Sequence, residues 1–153
     1  VRPQPKLGTV EIRITDAQST LGATAALVAL VQSLVRLELV DGHADSALVH
    51  APEVLDENRF LAARDGVEAE LVDPIRGRAV SVLDIAGELI GACAPHAVLL
   101  GCDAQLGLLG DLLDDPGPAR QRAVASRVGL EGLVAELAVD FVAPLEALQR
   151  GAA

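Results

Sequence analysis

Tryptophan, tyrosine and methionine are absent from this chain of 153 residues, and phenylalanine occurs only twice. That excludes an aromatic binding platform and leaves the core to smaller side chains. Hydrophobic residues still make up 51% of the sequence; they are mainly Ala, Val and Leu, a mixture suited to closely packed helices. A surplus of positive charge is also missing. With 12 Lys and Arg against 22 Asp and Glu, the net charge is −10. Neutralising a phosphate backbone needs a basic surface, so no nucleic acid is expected as partner, and no anionic membrane. The acidity reads as solubility. Cysteine is scarce: Cys93 and Cys102 stand nine apart, with neither a zinc-ligand spacing nor a C-x-x-C pattern. They are expected to be buried thiols in a reducing compartment, which places the protein in the cytoplasm. No basic segment precedes an apolar stretch at the start, so no signal-peptide pattern is present. The apolar run 21–35 is interrupted by Thr24, Gln32 and Ser33 and is not read as a membrane span.

What is there begins with alternation. In residues 9–15, Thr9, Glu11, Arg13 and Thr15 fall on one side, with Val10, Ile12 and Ile14 on the other. Period two with β-branched residues predicts a half-buried strand, preceded by a Pro-punctuated extended lead-in over residues 1–6. Ser19 or Thr20 is positioned to cap a helix over residues 21–39, which Asp41-Gly42 ends. A second helix is expected over 52–64, with Pro at its first turn and Gly66 at its end. Weak alternation in 68–72 and the turn signals Asp73-Pro74 and Gly77 point to a short hairpin extending to Val80. Ser81 opens a further helix through Cys93; Pro95 is expected to break or kink the chain, placing His96 outside that helix, and a short helix leads on to Gly101. Asp103 is expected to cap the next helix, in which Gly107 and Gly110 would permit close packing. After the loop 114–118, helices over 119–127 and 130–149 end the chain. Leu130, Leu133, Val134, Leu137, Phe141 and Leu145 form an apolar stripe on the last one, with a bend at Pro144. The expected fold class is α+β: one to three antiparallel strands followed by a predominantly helical body.

A lone strand leaves rows of backbone donors and acceptors without partners, so residues 9–15 require neighbours. The polar face of that strand carries two readings. Glu11 and Arg13 lie on one side about 7 Å apart by the strand rise, which suits a solvated ion pair. It also suits a catalytic face, because carboxylate oxygens hold Mg²⁺ and a guanidinium fork holds phosphoryl or carboxylate oxygens.

The run Gly8-Thr9-Val10-Glu11-Ile12-Arg13-Ile14-Thr15-Asp16-Ala17-Gln18 precedes a long Ala/Leu helix. It is followed in order by Glu57-Asn58-Arg59-Phe60-Leu61-Ala62-Ala63-Arg64-Asp65-Gly66 and by Ala69-Glu70-Leu71-Val72-Asp73-Pro74. These blocks resemble the bacterial carboxylate–amine ligases known as type 2 glutamate–cysteine ligases. A third stretch, from Leu100-Gly101-Cys102 to Arg120-Gln121-Arg122, fits the helical carboxyl terminus of the same family. The resemblance covers nearly the whole chain and implies that residues 1–153 are the last part of a single catalytic domain whose amino-terminal part is absent. It also implies a fold like that of glutamine synthetase, in which a curved antiparallel sheet forms a funnel around nucleotide, cations and substrate.

Carried over by resemblance, Glu11 is a metal ligand and Arg13 a catalytic contact to the transferred phosphoryl group or the substrate carboxylate. The implied cofactors are ATP with Mg²⁺ or Mn²⁺, and the implied partner is a small amino-acid substrate. The implied chemistry is amide formation through an acyl phosphate, with glutamate and cysteine as one substrate pair. The fragment alone is expected to be inactive. Arg59 and Arg64 have two readings: reaching toward nucleotide phosphates, or, for Glu57, Asn58 and Arg59, anchoring their helix to the sheet. His43, His50 and His96 share no ligand spacing and read as solvent groups. The rival to the ligase is a non-catalytic helical module for binding or self-association, with a homo-oligomer as its natural product.

Overall fold

In the computed structural model the described residues are 2–44 and 51–150, excepting the side chains of 142–150. His50 and the side chains of Pro144 and Leu145 therefore lie outside what is described. The chain opens on a hairpin, β1 (Arg2–Gln4) and β2 (Thr9–Glu11), antiparallel with Arg2 opposite Glu11 and Gln4 opposite Thr9. The expected strand is thus shorter than residues 9–15, and its neighbour is the lead-in. Pro3 faces Val10 in this ladder; a strand at the edge of a sheet tolerates the missing donor.

Helix α1 (Leu21–Asp41) starts where Thr20 Oγ1 accepts the N–H of Ala23 at 3.1 Å. It stops at Gly42, whose positive φ of 62° lets its N–H turn back to the Glu38 carbonyl. Helix α2 (Pro52–Asp65) likewise runs between a first-turn Pro and Gly66, and a short 3₁₀ turn, Gly66–Glu68, follows. Strands β3 (Glu70–Asp73) and β4 (Arg78–Ser81) form the expected second hairpin. Its turn is fixed by Asp73 Oδ1, which accepts the N–H groups of Ile75 and Arg76 at 2.9 and 3.0 Å. Ser81 Oγ then accepts from Leu83 N–H at 3.1 Å and opens α3 (Val82–Leu100).

Pro95 does not break α3. A proline there cannot donate to the Gly91 carbonyl, but both residues lie on the exposed side, where water can serve that carbonyl. On the opposite side Cys93, His96 and Ala97 are buried and hold the helix in place. Cys102, not Asp103, occupies the capping position of α4 (Asp103–Gly107), and it makes no side-chain cap. Asp103 sits in the first turn, where its charge suits the helix dipole. A one-residue step leads to α5 (Leu109–Asp114). The last helix, α6 (Gly117–Arg150), is interrupted at Gly129, whose φ of 73° no other residue type adopts readily.

The core is the meeting of α1 with α3, α4 and α5. Ala26, Ala29, Ser33 and Leu37 recur at helical spacing on one face of α1 and are buried. They pack with Cys93, Ala97, Cys102, Leu106 and Leu109. Small residues set this approach, so there is little room for added volume. The stripe expected on the last helix is only partly covered: Leu130 is 79% and Val134 74% exposed, while Leu133 and Leu137 are half-buried. Gly107 and Gly110 face open space and allow no close contact. By length and composition α1 and α3 could each cross a bilayer, a test that core helices of soluble proteins also pass; here they pack on each other.

Replacing Ala29, 1% exposed, by Leu is expected to lower unfolding free energy by about 1–3 kcal/mol through overpacking. Val134→Ala should stay within about 0.5 kcal/mol. Urea denaturation of the two variants beside the parent checks both values.

Candidate functional site

Glu11 is the last residue of β2, and Arg13 lies two residues beyond it. Arg13 Nε donates to Glu11 Oε1 at 2.7 Å, and Gln4 Nε2, from the facing strand, donates to Glu11 Oε2 at 3.3 Å. The arginine side chain is 62% exposed and the glutamate 34%. Both expected partners are therefore together and in reach of solvent. They neutralise each other in a pair of the kind that contributes roughly 0–1 kcal/mol, so incoming ions could displace it at small cost.

Ile12 lines a groove of about 550 Å³, with Thr15 to Gln18, one face of α1 and Phe141. A second groove, about 680 Å³, lies at the start of α1 between Gly22, Gln105, Leu108 and Arg120. Arg120 is engaged with Asp115 at 2.7–2.8 Å. None of Glu11, Arg13, Arg59 or Arg64 lines either groove.

On α2 the residues divide. Asn58 works as an extra strand segment: its Nδ2 donates to the Val72 carbonyl at 2.9 Å and its Oδ1 accepts the Val72 N–H at 2.7 Å. This anchors α2 to β3, as the structural reading of the block expected, although at the surface rather than in a buried network. Arg59 donates to Asp56 at 2.9 Å, one turn back. Arg64 grips Asp65 through two bonds of 2.8 and 2.6 Å and lies 5.5 Å over the Phe60 ring. The hydrogen bonds from Arg64 hold the Asp65 carboxyl below its ordinary value, and those bonds raise the arginine. Among the described residues no hydrogen bond joins either arginine to Glu11 or Arg13.

One group was not anticipated. His96, read as a loop residue after a Pro95 break, is 6% exposed inside α3. Its Nε2 lies 3.1 Å from Asp41 Oδ2 at the end of α1, and its Nδ1 has no partner among the described residues. The signal was present, because His96 follows Cys93 at helical spacing on the buried face. His43 is exposed, as expected. Cys93 and Cys102 are buried and unpaired with each other, and burial pushes the Cys93 thiol up, away from nucleophilic use. Among the described residues no group of three or more His, Cys, Asp and Glu could hold a metal ion. Glu11 thus offers one carboxylate where Mg²⁺ takes six oxygens.

The family model for glutamate-cysteine ligase family 2 (GCS2) matches residues 1–142. A Rubrobacter xylanophilus protein named "Putative glutamate--cysteine ligase 2-3" is 45% identical over 130 residues, covering 84% of this chain and 34% of its own length. A Micrococcus luteus protein named "Putative glutamate--cysteine ligase 2" is 38% identical over 156 residues, covering 100% of this chain and 39% of its own. A Gloeobacter violaceus protein of the same name is 36% identical over 141 residues, or 90% of this chain and 38% of its own. The chain therefore spans between a third and two-fifths of the length of these curated relatives. No solved structure matches.

Two predictions concern the anchor and the turn. Asn58→Ala removes both bonds to Val72 and is expected to cost about 1–2 kcal/mol, with faster hydrogen exchange at the Val72 amide. The Asp73 carboxyl is held below its ordinary value by the N–H of Arg76, then that of Ile75, and by the charges of Arg76 and Arg78. A lowered folded-state value gives stability that is present above the unfolded-state value and lost as pH falls through the folded one. Asp73→Asn keeps the acceptor but not the charge, so denaturation curves below about pH 4 should depend less on pH than in the parent.

Proposed function

This chain belongs to glutamate–cysteine ligase family 2, and from that we propose that it serves within an ATP-dependent carboxylate–amine ligase. The observation that carries the reading is the exposed pair of Glu11, at the end of β2, with Arg13 just beyond it, inside the stretch that the family model matches. Amide formation from a carboxylate and an amine is uphill in water, and phosphorylating the carboxylate makes it a good acyl donor. Negative charge then gathers on the transferred group, and positioned cationic groups stabilise it. In this reading Arg13 leaves Glu11 and directs its fork at the phosphoryl oxygens or the substrate carboxylate. Glu11, released, supplies one oxygen to a divalent cation, Mg²⁺ or Mn²⁺, whose other ligands come from outside this stretch. The cation, when bound, offsets phosphate charge. Gln4 keeps its bond to the second oxygen of Glu11 and holds the carboxylate in orientation.

Arg59 and Arg64 belong to the same proposal as contacts for nucleotide phosphates. Among the described residues Arg59 bonds to Asp56 alone and has further donors, whereas Arg64 would have to exchange Asp65. The substrate pair suggested by the relatives' names is glutamate with cysteine, giving a γ-glutamyl amide. A cytoplasmic setting, where ATP is available, accords with this chemistry.

The test is ATP- and Mg²⁺-dependent phosphate release by a family-length protein containing this chain, with glutamate and cysteine supplied. Glu11→Gln and Arg13→Ala are each expected to lower kcat by at least about a hundredfold. The melting temperature should stay within a few degrees, since the pair is exposed. Turnover equal to the parent in both variants would end the assignment of this strand to catalysis. Residues 1–153 alone are expected to show no turnover, and measurable ligation by them would contradict the proposal.

A further inference from the structure

The ladder of the first hairpin brings a third charged group to the face that carries Glu11. Arg2 stands directly opposite Glu11, and Gln4 opposite Thr9. Residues paired across an antiparallel ladder point to the same side, with Cβ atoms about 5 Å apart. The bond from Gln4 Nε2 to Glu11 Oε2 runs across this same face. The placement of Arg2 is set locally. Pro3 follows it, and a residue before proline is held to extended backbone. The turn closes where Leu7 N–H returns to the Gln4 carbonyl at 2.9 Å. Two guanidiniums thus address one carboxylate. Arg13 is bonded to it at 2.7 Å. Arg2 is exposed, and among the described residues it makes no salt bridge and no side-chain hydrogen bond. One acid neutralises one base, so this face keeps an excess positive charge in a chain whose total is −10, and such a charge draws an anion.

That excess has a use in the reaction proposed above. With Glu11 turned to a cation and Arg13 to the carboxylate being phosphorylated, a substrate with a second carboxylate still carries one negative charge without a partner. We propose that Arg2 holds this second carboxylate and so selects an amino acid with two acidic groups. A guanidinium fork meets both oxygens of a carboxylate with two parallel bonds. The proposal rests on the ligase reading of Glu11 and Arg13 and adds the residue that separates dicarboxylic from monocarboxylic substrates. A site built to pair a polar group rejects the analogue lacking it far more strongly than an apolar pocket rejects a missing methylene. Arg2 takes no part in the chemical step. It grips a group that does not react, so its loss falls on KM rather than on kcat.

The experiment uses the family-length protein containing this chain. Glutamate binding is measured by calorimetric titration with Mg²⁺ and ADP present, and phosphate release is then followed with ATP, Mg²⁺, glutamate and cysteine. Arg2→Gln is expected to weaken glutamate binding about ten- to hundredfold. KM for glutamate should rise to match, while kcat stays within about threefold. Arg2→Lys keeps the charge but not the fork and should fall between parent and Arg2→Gln. Both variants should melt within about 2 °C of the parent, because Arg2 is exposed. Glutamate bound as tightly by Arg2→Gln as by the parent would overturn the proposal, and so would a parent that binds no glutamate. A fall in kcat and melting temperature together, with KM unchanged, would also overturn it by assigning Arg2 to the fold. Glutamate binding that depends on Arg2 without any phosphate release would support this assignment and count against the ligase reading.

Discussion

The close approach of α1 to α3 and to the α4–α5 segment is the contact on which the rest depends. It is made by side chains with little or no branching. Ala26, Ala29 and Ser33 on one helix meet Cys93, Ala97 and Cys102 on the others, all nearly or fully buried. Backbones brought together in this way gain many weak dispersion contacts, and there is no large aromatic to absorb an error in position. The same interface holds α1 at two further points. Near its carboxyl end Asp41 meets buried His96, and in its middle Ser33 Oγ lies 3.8 Å from Cys102 Sγ. Ile12 and Thr15 to Gln18 share a groove with one face of α1.

Features decided within a few residues were legible in the sequence. Thr20, Gly42, Gly66, Ser81 and the Asp73–Gly77 turn perform the local tasks that their chemistry indicates, because a cap or a tight turn depends on neighbours in the chain. Features decided by tertiary context were not. Pro3 and Pro5 concealed that Arg2–Gln4 is a strand, since the ladder partner that makes it one lies five to nine residues away in sequence. Pro95 suggested a break, and only the packing of Cys93, His96 and Ala97 against α1 shows why the helix continues. The open side of Leu130 and Val134 was equally hidden, for periodicity identifies an apolar face without saying whether anything covers it.

The candidate site divides along the same line. Strand period was enough to place Glu11 beside Arg13, and the structure has them 2.7 Å apart. The bond from Gln4 depended on the hairpin. For Arg59 and Arg64 the acids at Asp56 and Asp65 are sequence neighbours, yet the resemblance drew attention to phosphates instead. In the structure these nearby acids occupy both arginines, and Asn58 is the member of that block with a definite task. A ligand set for a cation could not be read because this stretch offers one carboxylate at the strand.

The two faces of the β2 segment make opposite demands, and together they constrain what can surround it. Val10, Ile12 and Ile14 lose free energy while they remain in water, and burial of a fully exposed aliphatic side chain is worth about 1.5–3 kcal/mol. Glu11 and Arg13 gain nothing from burial, since taking the pair out of water costs more than its attraction returns unless further hydrogen bonds are supplied. A neighbour that satisfies the first face must therefore approach from the α1 side and leave the second toward solvent or toward polar ligands. A neighbour that covered the second face would have to bring counter-charges with it, as a cation and an anion together would. One strand thus separates a surface that calls for packing from a surface that calls for ions, and the alternation of residues 9–15 sets both demands at once.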